Sequence, residues 1–114
     1  MAESAYVLFF WLLVGHSIAD YGLQTDWLEK HKQRSAWAHL PVAQRINWIF
    51  PLTAHASIHA GAVAFATGSI TLGLAELSAH WLIDFAKGEG KFGFALDQFL
   101  HILCKLAWVA ILFV

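Results

Sequence analysis

One cysteine, two prolines and one methionine are all that a chain of 114 residues contains of these types, and charged residues make up only 13% of it. Each scarcity excludes something. Cys104 has no partner within the chain, so disulfide staples and a multi-cysteine zinc knuckle are excluded. Seven Lys+Arg stand against eight Asp+Glu, a net charge of −1, so there is no basic excess to neutralise phosphates and nucleic acid is excluded as the partner. A soluble domain carries roughly 25% charged and about 45–50% apolar residues. Here 59% are hydrophobic and the mean hydropathy is +0.58, too little polar surface to coat a water-facing globule. The composition places the chain in a membrane, and the length allows one domain. Met1-Ala2-Glu3-Ser4 has no Lys or Arg, so the first apolar run reads as mature protein and not as a cleaved signal.

Four apolar runs are present, at about 4–24, 42–66, 69–87 and 92–114. Each is near the roughly 20 residues a helix needs to cross a hydrocarbon core of about 30 Å. The expected fold is all-α: an integral membrane four-helix bundle, a single four-span domain over 1–114. In the polar stretch 25–44, Asp26 followed by Glu29 reads as a capping box. Trp27, Leu28, Trp37 and Leu40 there suit a membrane surface, with an ordinary solvated loop as the other reading. Pro41 fits the first turn of the second span, whereas Pro51 falls inside it and is expected to kink it one turn before His55. Gly68 and Ser69 supply a helix terminator followed by a cap. Trp27, Trp37 and Trp48 suit an interfacial belt.

Orientation follows from the basic residues. Lys30, Lys32, Arg34, Arg45, Lys87 and Lys91 fall on the side of the first and third loops, and only Lys105 lies elsewhere. The positive-inside rule puts both loops in the cytoplasm, with the termini outside a cell's inner membrane.

Every run nonetheless carries ionisable residues, although one Asp or Lys at mid-bilayer costs on the order of 3 kcal/mol. They come in i,i+4 pairs, one per run: His16/Asp20, His55/His59, His80/Asp84 and Asp97/His101. Residues four apart share a helix face, and bundles build metal sites from facing pairs of this kind. Counted from the basic end of each run, the pairs fall in the same half of the bilayer, with His55 and His59 somewhat deeper. Eight N and O donors exceed the four of one tetrahedral zinc, which implies two metals or one metal with an outer shell of partners. The donor set suits zinc, manganese or iron and argues against copper(I) and iron–sulfur clusters. Glu76 and Lys105 lie eight residues from Asp84 and Asp97 respectively, so they meet at one depth as a buried ion pair or serve a proton relay. Gln24, Gln98, Asn47 and Ser17 are candidates to orient ligands, while His31 and His39 receive no role.

The motifs His16-x-x-x-Asp20-x-x-x-Gln24-Thr25-Asp26-Trp27, His80-Trp81-x-x-Asp84-x-x-Lys87 and Asp97-Gln98-x-x-His101 occur in this order across nearly the whole chain. This string resembles an uncharacterised family of small bacterial and phage integral membrane proteins. More distantly it is similar to inner-membrane metal-dependent hydrolases of the LexA-binding type, which share His-x-x-x-Asp pairs on helices with zinc-dependent phospholipase C. The resemblance implies that His16, Asp20, His80, Asp84, Asp97 and His101 form a polar cluster, whereas His55 and His59 rest on spacing alone.

The resulting expectation is a membrane-embedded metal-dependent hydrolase acting on a phospholipid or lipid-linked phosphoester at the cytoplasmic leaflet. A divalent metal, zinc first, would be held by His16, Asp20, His55, His59, His80, Asp84, Asp97 and His101, with His80, Asp84 and Asp97 catalytic. Membrane lipids and a second copy of the chain are the expected partners. The competing expectation is a small oligomeric channel or carrier for protons or metal ions, using the same residues as a relay.

Overall fold

The computed structural model describes residues 4–114, so the Met1–Glu3 stretch behind the reading of a mature N-terminus lies outside it. The described residues are all-helical. Helix α1 (Ala5–Ser17) begins at Ser4, whose hydroxyl accepts the Val7 N–H, and continues into a π-helical turn over Ile18–Gly22. A short helix α2 (Asp26–His31) and two 3-10 segments, Arg34–Trp37 and Val42–Trp48, build the polar stretch. Then follow α3 (Ile49–Thr67), α4 (Ile70–Gly88) and α5 (Phe94–Phe113).

The four long helices close a ring, with α3 packed on α4, α1 on α3 and α5, and α4 on α5. Each of the four long helices turns inward a stripe that recurs at about every fourth residue. Leu8, Leu12 and His16 are buried on α1; Leu52, His55, Ala56, His59 and Val63 on α3; Leu72, Glu76, His80 and Asp84 on α4; Asp97, His101, Lys105 and Val109 on α5. The stripes are in phase, so one end of the interior is apolar and the other polar. Leu8, Leu12, Val63, Leu72 and Val109 pack into a single apolar cluster, supported by Phe9 and Trp108. The outward faces carry Phe10, Trp11, Phe65, Ile70, Leu74, Leu82 and Phe99, all exposed, so burial by hydrophobicity is inverted over much of the surface.

Three helical stretches, Ala5–Gly22, Val42–Thr67 and Phe94–Phe113, are long and apolar enough to cross a membrane. Helix α4, expected as the remaining span, has 19 residues but bears Glu76, Asp84 and Lys87, and is not among them.

Local features depart from the sequence reading in three places. The cap of α2 is Thr25, whose hydroxyl accepts the Leu28 N–H at 3.1 Å, and not Asp26; a β-branched hydroxyl with extended backbone captures the N3 amide. The second run begins as a 3-10 segment at Val42 and becomes α-helical only at Ile49, so Pro51 occupies the first α-helical turn, where its missing N–H is cheap. The π-turn was not expected at all. Its Leu23 N–H bonds to the Ile18 carbonyl at 2.8 Å, and the widened turn lets Ala19 and Asp20 both face inward. The α3–α4 hairpin closes as expected: Gly68 adopts φ 70° and the Ser69 hydroxyl accepts the Leu72 N–H at 3.1 Å. Gly73 lets the two helices approach closely, since a Cβ there would lie 2.8 Å from that of Ala64.

Candidate metal centre

The polar end of the interior gathers all eight expected residues. Asp20 Oδ1 is met by His59 Nε2 at 2.8 Å and His55 Nε2 at 3.1 Å. Asp84 receives His101 Nε2 at 3.0 Å on Oδ1, and its Oδ2 lies 3.4 Å from His80 Nε2. Asp97 Oδ1 lies 3.3 Å from His101 Nε2. The imidazoles of His59 and His80 stack with centroids 3.7 Å apart, and those of His80 and His101 at 4.0 Å. Three carboxylates and five imidazoles therefore share one buried volume.

Three sets of side chains offer ligand atoms within 4.8 Å of one another: Asp20 with His55, His59 and His80; Glu76 with His80 and His101; Asp84 with Asp97 and His101. A tetrahedral zinc with bonds of about 2.1 Å separates its ligands by roughly 3.4 Å, so small rotamer adjustments bring the first set onto one ion. His80 and His101 each belong to two of the sets. His16 belongs to none; its Nε2 lies 3.1 Å from Gln98 Oε1 and 3.4 Å from Asp20 Oδ2, an outer position.

The hydrogen bonds of His80 test whether a cation fits. Its Nδ1–H donates to Glu76 Oε2 at 2.9 Å, which leaves Nε2 carrying a lone pair, and that buried atom has no hydrogen-bond partner among the described residues. A carboxylate holding the far nitrogen of a histidine is the arrangement that fixes tautomer and orientation in metal-binding histidines. Glu76 is itself held by Lys105 Nζ at 2.8 Å and by the Trp108 indole N–H at 2.9 Å, and both Glu76 and Lys105 are 1% exposed or less. The expected meeting of Glu76 and Lys105 is thus observed, and it anchors His80.

Charge points the same way. With neutral imidazoles, Asp20, Glu76, Asp84 and Asp97 contribute four negative charges, against the ammonium groups of Lys105 and Lys32 within the interior. Counting Lys87, which pairs with Asp97 at 3.9 Å on the rim, one negative charge remains. Such an excess in a low-dielectric interior is costly unless paired.

Two participants escaped the sequence reading. Lys32, assigned only to the polar loop, is buried and reaches Asp84 Oδ2 at 2.9 Å. Tyr21 donates its hydroxyl to Gln98 Oε1 at 3.0 Å. Gln98, named only as a candidate to orient ligands, donates from Nε2 to Asp20 Oδ2 at 3.0 Å and to Asp97 Oδ2 at 3.1 Å, tying α5 to the π-turn. Gln24 and His31 stay outside: Gln24 bonds the Asp20 carbonyl, and His31 the Trp27 carbonyl while stacking on its indole.

Fold and site together define an all-helical protein, with three helices apolar enough for a membrane, that buries His, Asp and Glu groups able to hold a metal ion. The chain belongs to the family described as "Protein of unknown function (DUF3307)", which matches residues 8–114. No curated protein and no solved structure matches it.

Proposed function

We propose that this chain is a membrane-embedded metal-dependent hydrolase of phosphoesters, its substrate a phospholipid or a lipid-linked phosphate at the cytoplasmic leaflet of the inner membrane of a bacterium or phage host. The observation that carries the reading is the convergence of His55, His59 and a nitrogen of His80 with Asp20 in one ligand set, beside a second set from Asp84, Asp97 and His101. In this reading α4 spans together with α1, α3 and α5, its charges shielded by the other three, and the basic loops lie inside. The long axis of 51 Å exceeds the roughly 30 Å hydrocarbon core, leaving room for a polar cap at the water interface. A bound divalent ion, zinc first, with manganese or iron as alternatives, makes water a nucleophile near neutral pH and polarises the phosphoryl group.

The remaining work falls to side chains. Glu76 holds His80 in one tautomer, and Gln98 fixes Asp20 and Asp97 relative to each other. Lys32 brings a positive charge to Asp84 at the mouth of the site, where negative charge on a phosphoryl group would accumulate. A histidine that the ion leaves unliganded would give a proton to the leaving oxygen as the phosphorus–oxygen bond breaks.

A relay for protons or metal ions is the second reading, favoured by the polar chain Asp97–His101–Asp84–His80–Glu76–Lys105. Against passage through a single copy stands the apolar cluster of Leu8, Leu12, Val63, Leu72 and Val109, which fills the interior beyond Lys105. Polar side chains confined to one end of the interior suit an enzyme better than a channel. The test is release of the headgroup alcohol or of a phosphomonoester from phospholipid mixed micelles by metal-loaded protein, compared with Asp84→Asn and His80→Gln. Absent activity with full metal occupancy would discard the hydrolase and leave the relay, to be assayed as proton flux in proteoliposomes.

A further inference from the structure

The cap over the polar end contains a cavity of about 500 Å³, bounded by Arg34, Ser35, Arg45, Gly88 and Glu89. Its charges are two guanidinium groups and one carboxylate. Arg34 is paired with Glu89 through both Nε and Nη2. Arg45 gives its Nε–H to the Leu40 carbonyl at 2.7 Å, and among the described residues its terminal nitrogens have no partner. The cavity therefore carries one uncompensated positive charge, presented by a fork suited to two phosphate oxygens.

Its surroundings indicate where the anion comes from. Arg45 lies on the Val42–Trp48 3-10 segment, where Val42, three residues before it, and Ile46, next to it, are both exposed, as is Phe50. A cationic fork among exposed apolar side chains is the composition of a membrane interface, not of a site for a freely dissolved ion. Gly88, on the cavity wall, is four residues beyond Asp84, about 6 Å along α4, so an occupant sits one turn above the carboxylate of the metal centre. Gln33 packs where a Cβ of Gly88 would be, and its neighbours Lys32 and Arg34 reach Asp84 and Glu89, so one short segment lines both sites.

We infer that this cavity is a headgroup site for an anionic phospholipid, a phosphodiester of single negative charge held by Arg45 with Arg34 and Ser35. As a substrate-recognition site it rests on the hydrolase reading; as a lipid site it does not.

Purified full-length protein in neutral detergent, titrated with dihexanoyl phosphatidylglycerol and followed by native mass spectrometry, tests it. One saturable lipid per chain is expected, with affinity about tenfold above that for dihexanoyl phosphatidylcholine. Arg45→Gln, which keeps a hydrogen-bonding side chain and so spares the fold, should erase that preference, whereas Lys91→Gln should not. Unchanged selectivity in both Arg45→Gln and Arg34→Gln would overturn the assignment. Glycerol 3-phosphate should compete only weakly; competition equal to that of the lipid would make this a site for free phosphate esters and overturn the lipid. His59→Ala, which removes a ligand of the metal centre, should bind the lipid as wild type does, separating the two proposals; loss of lipid there would place the headgroup in the metal centre and overturn the cavity.

Discussion

The ammonium group of Lys32 lies 2.9 Å from Asp84 Oδ2, joining the polar cap to the buried cluster across 52 residues of sequence. Both side chains are under a tenth exposed, so each depends on the other for its charge. Lys32 also stands where a cation shared by Asp84 and its histidine neighbours would exert its field, making it a competitor of the metal as well as a latch for the cap.

Lys32→Gln should therefore have opposite effects in the two metal states. Without metal it strands the carboxylate, a loss of about 3 kcal/mol. With zinc present the loss should shrink, because the ion compensates Asp84 and no longer faces a lysine. Thermal unfolding in detergent reads both: the zinc-induced rise in Tm should be larger in Lys32→Gln than in wild type. Equal rises would mean that Asp84 is not part of the metal site.

Glu76 and Lys105 should behave as one unit. Each single neutral replacement, Glu76→Gln or Lys105→Met, leaves its partner's charge buried and should cost about 3 kcal/mol, while the double variant should cost clearly less than the two together. Exchanging the two charges is not expected to restore the fold, because the His80 N–H and the Trp108 N–H, which now donate to Glu76, would then face an ammonium group. Strict additivity in the double-mutant cycle would rule out the coupling.

Two glycines, Gly73 at a helix interface and Gly61 on an exposed face, give a signed contrast. Gly73→Ala forces a Cβ to 2.8 Å from Ala64 Cβ and 3.0 Å from the Ala60 carbonyl oxygen, so the α3–α4 hairpin must part, at a cost of about 1–3 kcal/mol. Gly61→Ala meets nothing within 4 Å and should be neutral, or stabilising by up to about 1 kcal/mol. Similar unfolding midpoints for the two variants would contradict the close approach at Gly73.

The cluster was legible in the sequence because helices convert spacing into direction. Four i,i+4 pairs on apolar runs can be satisfied only by facing one another, and the inward stripes do so. What stayed hidden lies where that conversion fails. Lys32 sits at the end of a six-residue helix followed by 3-10 turns, with no periodicity to say which way it points. The π-turn is a choice of hydrogen-bond register that spacing does not announce, and from it Asp20 reaches His55 and His59 on α3 while staying 3.4 Å from His16. Pro51 and Thr25 show the same limit: which residue begins a helix is decided by competition among neighbouring caps, and residue type alone does not settle it.

Metal content should separate inner from outer residues, which gives the site its sharpest test. Protein purified without chelator or an immobilised-metal column should carry on the order of one to two equivalents of zinc, manganese or iron. His59→Ala and Asp20→Asn remove members of the first ligand set and should lower that content strongly, as should Asp84→Asn in the second set. His16→Ala should keep most of the metal, since His16 belongs to no ligand set and touches the centre through Gln98 and the flank of Asp20. Glu76→Gln should weaken retention without abolishing it, by about 10–100-fold in affinity, because Glu76 holds the far nitrogen of His80 and so fixes its orientation. Elemental analysis across the five variants distinguishes this pattern from a metal-free network in which protonated aspartates bond neutral histidines. In that case wild type would hold less than a tenth of an equivalent, and added zinc would leave its Tm unchanged.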